Sequence, residues 1–261
     1  MTPSTSPSEF AGRGGRGLAV IDTPAAPPGW EDARSQLIRV VDPLGGAVAW
    51  LAPAAGGRCV GFAVRLGGAV GTPWFQVFHA ATTGTAPSDP RAAGCGLACA
   101  PAAGEPGDDL AAGAAWRLDE RDPTAAALVA TSGEPAGVSL RFSAALDDGM
   151  LTLAAAIGNR ATGERRLRLG LLLALGDGVA PAAVDGGHLA SARIVRLAGF
   201  GPALVVEVAL VAGVSRPVPV ARRDPGRGAL LAPAADSAGG IATLAPGATL
   251  DLIVTLRAFP G

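Results

Sequence analysis

Residues 137–158 read GVSLRFSAALDDGMLTLAAAIG. Val138, Leu140, Phe142, Ala144 and Leu146 alternate with smaller or polar residues, and beyond Asp147-Asp148-Gly149 the alternation resumes at Leu151, Leu153, Ala155 and Ile157. A period of two is that of a strand with one buried face, and Asp-Gly between two such runs signals a tight hairpin. The stretch therefore predicts paired antiparallel strands over 137–146 and 150–158.

Working outward, the same period returns near the carboxyl end. After a turn at Pro246-Gly247, Leu250, Leu252, Val254 and Leu256 alternate with Asp251, Ile253, Thr255 and Arg257, which predicts a strand over 249–258. Further strands are expected at 36–42, 46–51, 58–66, 74–79, 114–119, 126–131, 166–175, 192–198, 203–210 and 217–222. Gly or Pro interrupts nearly every longer run, and no capped window of helical period appears. The expectation is an all-β fold, a large antiparallel β-sandwich, in one domain over 30–261. Residues 1–29 read as a disordered tail, and 84–113 and 176–190 as long Gly/Pro/Ala-rich loops of the kind that carry sites.

Composition excludes more than it assigns. The 261 residues are 49% hydrophobic and 16% charged with a net charge of −1, which argues against nucleic-acid and anionic-membrane partners. All 21 basic residues are Arg, Tyr is absent and Asn159 is the single Asn, a bias that reads as GC-rich codon usage. The longest apolar candidate, Leu169–Leu175, lies between Arg168 and Asp177 and is far short of the roughly 20 residues of a membrane span. The start, MTPSTSPSEFAGRGGRG, has no apolar h-region, so a cytoplasmic protein is expected.

Single motifs are weak. Gly12 to Gly17 formally matches G-x-G-x-x-G but precedes the apolar LAVI and does not follow a strand, so no dinucleotide or other cofactor is expected. Cys59, Cys95 and Cys99 lack the paired spacing of a zinc site and read as buried thiols, with no metal. Trp50 and Trp116 fall within expected strands and read as core, whereas Trp30 and Trp74 flank Pro/Gly segments and are candidates for stacking on a sugar.

The order of pieces is informative. LIRVVDPLGGAVAWLAPAAGGRCVGFAVR (37–65), GCGLACAP (94–101), GAAWRLDE (113–120), the hairpin with its extension to Leu173, and LAPAADSAGGIATLAPGATLDLIVTLRA (231–258) follow one another across most of the chain. In that order they resemble the aldose 1-epimerases, the galactose mutarotase-like family. The resemblance implies a supersandwich that binds a sugar in its concave face and opens the pyranose ring. A carboxylate takes the anomeric proton while an imidazolium protonates the ring oxygen.

The residues that would do this chemistry are replaced. Ala232 stands where the family has the Glu of its closing Glu-Pro pair, and Leu172 where it has a His. No His lies between His79 and His188 to supply the second family imidazole, and Ala102 to Gly104 replaces an Asn-Arg pair. The expectation is a catalytically degenerate member that binds a sugar or sugar-like small molecule. The alternatives are an active isomerase with relocated groups and a non-catalytic, partner-binding subunit. For relocated chemistry the candidates are His188 beside Asp185, Asp236 four residues past Ala232, and Asp177; each also reads simply as a loop or turn residue.

Overall fold

The computed structural model describes residues 26–27, 30, 34–65, 74–78, 94–102, 110–131, 137–174, 194–198, 204–212, 216–219, 229–232 and 241–260. The strands in chain order are β1 (Ile38–Asp42), β2 (Ala47–Ala52), β3 (Arg58–Arg65), β4 (Trp74–Gln76), β5 (Gly94–Pro101), β6 (Arg117–Arg121), β7 (Ala125–Thr131) and β8 (Val138–Asp147). They continue with β9 (Met150–Asn159), β10 (Arg165–Ala174), β11 (Ile194–Ala198), β12 (Leu204–Ala212), β13 (Arg216–Pro219), β14 (Ala229–Ala232), β15 (Ile241–Leu244) and β16 (Thr249–Pro260). A nine-stranded sheet runs β1-β2-β3-β5-β10-β14-β13, with β4 on β3 and β15 on β10. A seven-stranded sheet runs β11-β12-β16-β9-β8-β7-β6. Every pairing is antiparallel, so the expected all-β sandwich is the observed one.

The β8–β9 hairpin is its most regular part. β8 and β9 pair from Val138↔Asn159 to Asp147↔Met150, leaving a two-residue loop. Asp148 and Gly149 have φ of 47° and 74°, as the twist-matched type I′ turn requires. Burial alternates without a break along β8, and Val138, Leu140, Phe142, Ala144 and Leu146 face the core. On β16, Leu252, Val254 and Leu256 do the same, while Asp251 and Arg257 are exposed.

The core between the sheets joins these residues to Val40, Leu51, Phe62, Phe78, Leu169 and Leu171. The Phe62 and Phe78 rings meet at 5.9 Å with a 57° tilt, the offset geometry aromatic pairs favour. β3 carries a bulge: Trp50 pairs with Gly61 and Leu51 with Cys59, so Val60 is the extra residue. The bulge lets Cys59 and Phe62, three apart in sequence, both reach the core, while Val60 joins a second cluster with Trp30, Val48, Trp50, Ala52 and Ala63.

Three strands were not anticipated. The stretch 84–113, read as one loop, contains β5, which sits in the middle of the nine-stranded sheet between β3 and β10. Its sequence, GCGLACAP, has no β-branched or aromatic residue and two glycines, the opposite of strand propensity. It is a strand because neighbours press on it from both sides; Cys95, Leu97 and Cys99 are buried in the core and Gly96 lies beneath a side chain of β3. The short β14 and β15 were missed for a related reason, since four residues show too few repeats of any period. Trp116, expected inside a strand, lies just before β6, although it is core as expected at 8% exposure.

Candidate functional site

β10 brings the segments singled out in the sequence together. On one side Leu172 pairs with Gly96 of β5, and on the other with Leu230 of β14. Ala232 is two residues beyond Leu230, so Leu172, Leu230 and Ala232 hold register positions of one parity on adjacent strands. Leu167, Leu169 and Leu171 are buried in the core, which assigns the opposite parity of β10, including exposed Arg166 and Arg168, to the outer face of the nine-stranded sheet. Residues 172 and 232 are 60 apart in sequence and are neighbours only because β14 pairs with β10.

A polar group absent from the sequence-based candidates stands beside them. Arg58, at the start of β3, is 6% exposed. A Cβ placed on Gly96 would lie 2.9 Å from its Cγ and 3.1 Å from its Nε and Cζ, so the arginine crosses β5 where only a glycine leaves room. The guanidinium is thereby held one strand away from Leu172. The only sequence signal was the pairing of an Arg in an apolar strand with a Gly in a later segment, and neither is informative before β3 and β5 are known to be neighbours.

Tryptophans pack on the β3 side of this face. Trp30, one of the two aromatic candidates, is 9% exposed and packs in the second cluster with Trp50 and Val60. Trp74, the other, is half-buried against the same cluster, with the Arg65 guanidinium 4.8 Å above its ring, a cation–π arrangement. Both tryptophans therefore border the β3 side of the face. His188, Asp185, Asp177 and Asp236 lie outside the described residues.

The thiols are chemically muted. Cys59 and Cys95 sit opposite each other across β3 and β5, and all three cysteines are buried thiols outside any disulfide. Burial pushes the Cys59 thiol, which donates to the Gly61 carbonyl at 3.4 Å, up to about 12, and raises Cys95 further, helped by its neighbour Cys59. A thiol so protonated is not a nucleophile at neutral pH. Among the described residues no three His, Cys, Asp or Glu side chains group as metal ligands. Around β5, β10 and β14 the register sets the buried cation Arg58 near positions 172 and 232, which carry Leu and Ala, and none of these three residue types exchanges a proton near pH 7.

Solved structures share this architecture. A galactose mutarotase-like protein from Lactobacillus casei matches 85% of this chain and 99% of its own at 13% identity, with a TM-score of 0.62. One from Clostridium acetobutylicum matches 84% and 94% at 12% identity, TM-score 0.57. A galactose mutarotase related enzyme from Lactobacillus acidophilus matches 85% and 97% at 8% identity, TM-score 0.56. No family model and no curated protein matches the sequence. The chain has the galactose mutarotase-like sandwich fold, which at these identities speaks for architecture and not for activity. No helix of the described residues is long and apolar enough to cross a membrane.

Proposed function

We propose that this protein is a catalytically degenerate relative of the aldose 1-epimerases that binds a carbohydrate, or a small molecule like one, on the outer face of the nine-stranded sheet. The observation that carries the reading is the register of β5, β10 and β14. It brings Leu172 and Ala232 onto adjacent strands at the positions that resemble the family's imidazole and carboxylate, with Arg58 as the buried polar neighbour. Ring opening needs a donor and an acceptor converging on one sugar, and each such group contributes about 10² to 10⁴ in rate. With alkyl side chains at both positions the hydrogen-bonding and proton-transfer terms are lost together, while the frame that shapes a pocket persists. Trp74 is assigned to the rim, where a half-exposed ring can stack on a sugar face. We place the protein in a reducing, cytoplasmic setting, in keeping with three cysteines that form no disulfide.

The test is proton exchange NMR of anomer interconversion for a panel of aldoses. The expected result is selective line broadening of one or a few sugars with no added α/β exchange. Accelerated exchange would overturn the degenerate reading and direct mutagenesis to His188, Asp236 and Asp177. No effect on any sugar would overturn the binding reading as well.

A further inference from the structure

We propose that the outer face of the other, seven-stranded sheet holds a second ligand site, a groove in which Arg117 and Arg160 bind the phosphate group of a small phosphomonoester. The groove encloses about 560 Å³ where β6, β7, β8, β9 and the start of β16 run side by side. That volume is ordinary for a small-molecule site and larger than an inorganic ion fills.

Charge and shape select the ligand. Three arginines, Arg117, Arg141 and Arg160, line the groove together with one acidic residue, Asp119. Arg141 is already engaged, donating to Asp119 and, at 2.8 Å, to Glu120 outside the groove. Arg117 and Arg160 enter no ion pair among the described residues, so two positive charges are left for a dianion. The guanidinium fork matches a pair of phosphate oxygens, which a lone ammonium does not.

The floor supplies neutral donors. Register places Ser139, Gly158 and Thr249 in one row across β8, β9 and β16. A Cβ on Gly158 would lie 2.5 Å from Ser139 Oγ and 3.5 Å from Thr249 Oγ1, so the glycine leaves a notch flanked by two hydroxyls. The Ser139 hydroxyl donates to the Gly158 carbonyl at 3.4 Å, a long contact that a phosphate oxygen can replace. Arg160 projects from an anchored segment. Its backbone N–H donates to the Gly137 carbonyl at 2.7 Å, and buried Asn159 beside it donates to the Gly163 and Leu244 carbonyls at 2.9 and 2.8 Å and accepts from Ala161 N–H at 2.9 Å. One guanidinium is thus presented from a fixed backbone, which lowers the ordering cost of binding.

Titration calorimetry of the full chain with inorganic phosphate, glycerol 3-phosphate and glycerol, at two salt concentrations, tests the assignment. Saturable binding of glycerol 3-phosphate, tighter than inorganic phosphate and weakened by salt, with none of glycerol, is expected. Arg117→Gln and Arg160→Gln should each weaken it about tenfold or more, the scale of losing a hydrogen bond to a charged group. Arg257→Gln, which removes an exposed charge elsewhere on β16, should leave it unchanged. Absence of saturable binding, or equal losses from all three substitutions, overturns the site. Equal affinity for the ester and the inorganic ion overturns the organic body of the ligand. Chromatographic and circular dichroism profiles of the variants matching the parent separate lost binding from lost folding.

Discussion

Asp42 shows how one side chain joins the two sheets. It ends β1 and is 6% exposed; its Oδ1 accepts from Leu44 N–H at 3.1 Å and Gly45 N–H at 2.8 Å, and its Oδ2 from Gly149 N–H at 2.9 Å. Gly149 belongs to the β8–β9 turn, so the carboxylate ties the nine-stranded sheet to the seven-stranded one across 107 residues of chain. Asp42→Ala leaves three backbone donors unpaired and should cost about 3 kcal/mol, read as a lower urea midpoint at unchanged slope; Asp42→Asn, which keeps one acceptor, should lose roughly half of that. Gly57 makes the complementary steric point. Its φ is 67°, and a Cβ there would fall within the Trp116 indole, which is pinned by its Nε1 donating to the Ala111 carbonyl at 2.8 Å. Gly57→Ala should destabilise by about 3 kcal/mol from overpacking and positive-φ strain, with a shift in tryptophan emission as the indole moves. Neither role was legible in the sequence. An Asp before Pro-Leu-Gly-Gly reads as a turn residue, and its third partner is known only once the sheets have packed.

At the scale of elements, legibility followed periodicity. β8, β9 and β16 are long, and each exposes one face less buried than the other, so their alternation survives in the sequence. β5 has neighbours on both edges and a side chain crossing its outer face, so its core-facing Cys95, Leu97 and Cys99 alternate with Gly and Ala instead of polar residues, and the period is faint in the sequence. The β3–β5 pairing also has a pH signature. The unfolded thiols ionise near the ordinary value of 9.0, while burial holds folded Cys59 protonated up to about 12. A raised folded pKa contributes stability that is whole below pH 9 and is lost as pH rises from 9 toward 12. Thermal midpoints followed into alkali should therefore fall over that window, and Cys59→Ala should flatten the fall; an equally steep fall in the variant would remove the thiol as its cause. Native protein should resist alkylation at neutral pH and react only on unfolding.

At the scale of the molecule, the relation between the site and the fold is itself testable. If register, and not chemistry, is what the chain retains, then Leu172→His with Ala232→Glu puts a donor and an acceptor on adjacent strands of a frame that has kept its spacing. The double variant should accelerate glucose anomer exchange measurably above the parent, and each single variant by much less, because two groups that act as a unit are not additive. A folded double variant as inert as the parent would show that the surrounding residues, Arg58 among them, no longer hold a sugar in place.

What the sequence determined by itself was what repeats locally: the all-β class, the I′ hairpin at Asp148-Gly149, the closing strand, and the order of segments that resembles the aldose 1-epimerases. The proposal that Ala232 and Leu172 stand where that family has its carboxylate and imidazole rests on the same resemblance, because a covalent position can be compared without a fold. Only the tertiary structure decided that Leu172 and Ala232 are on neighbouring strands, that Arg58 crosses Gly96 beside them, and that Arg117 and Arg160 border one groove. The physical reason is range. Backbone sterics and the pleat act over two to four residues and imprint a period, whereas a site is assembled by strand pairing between residues dozens of positions apart, and that pairing leaves no local trace.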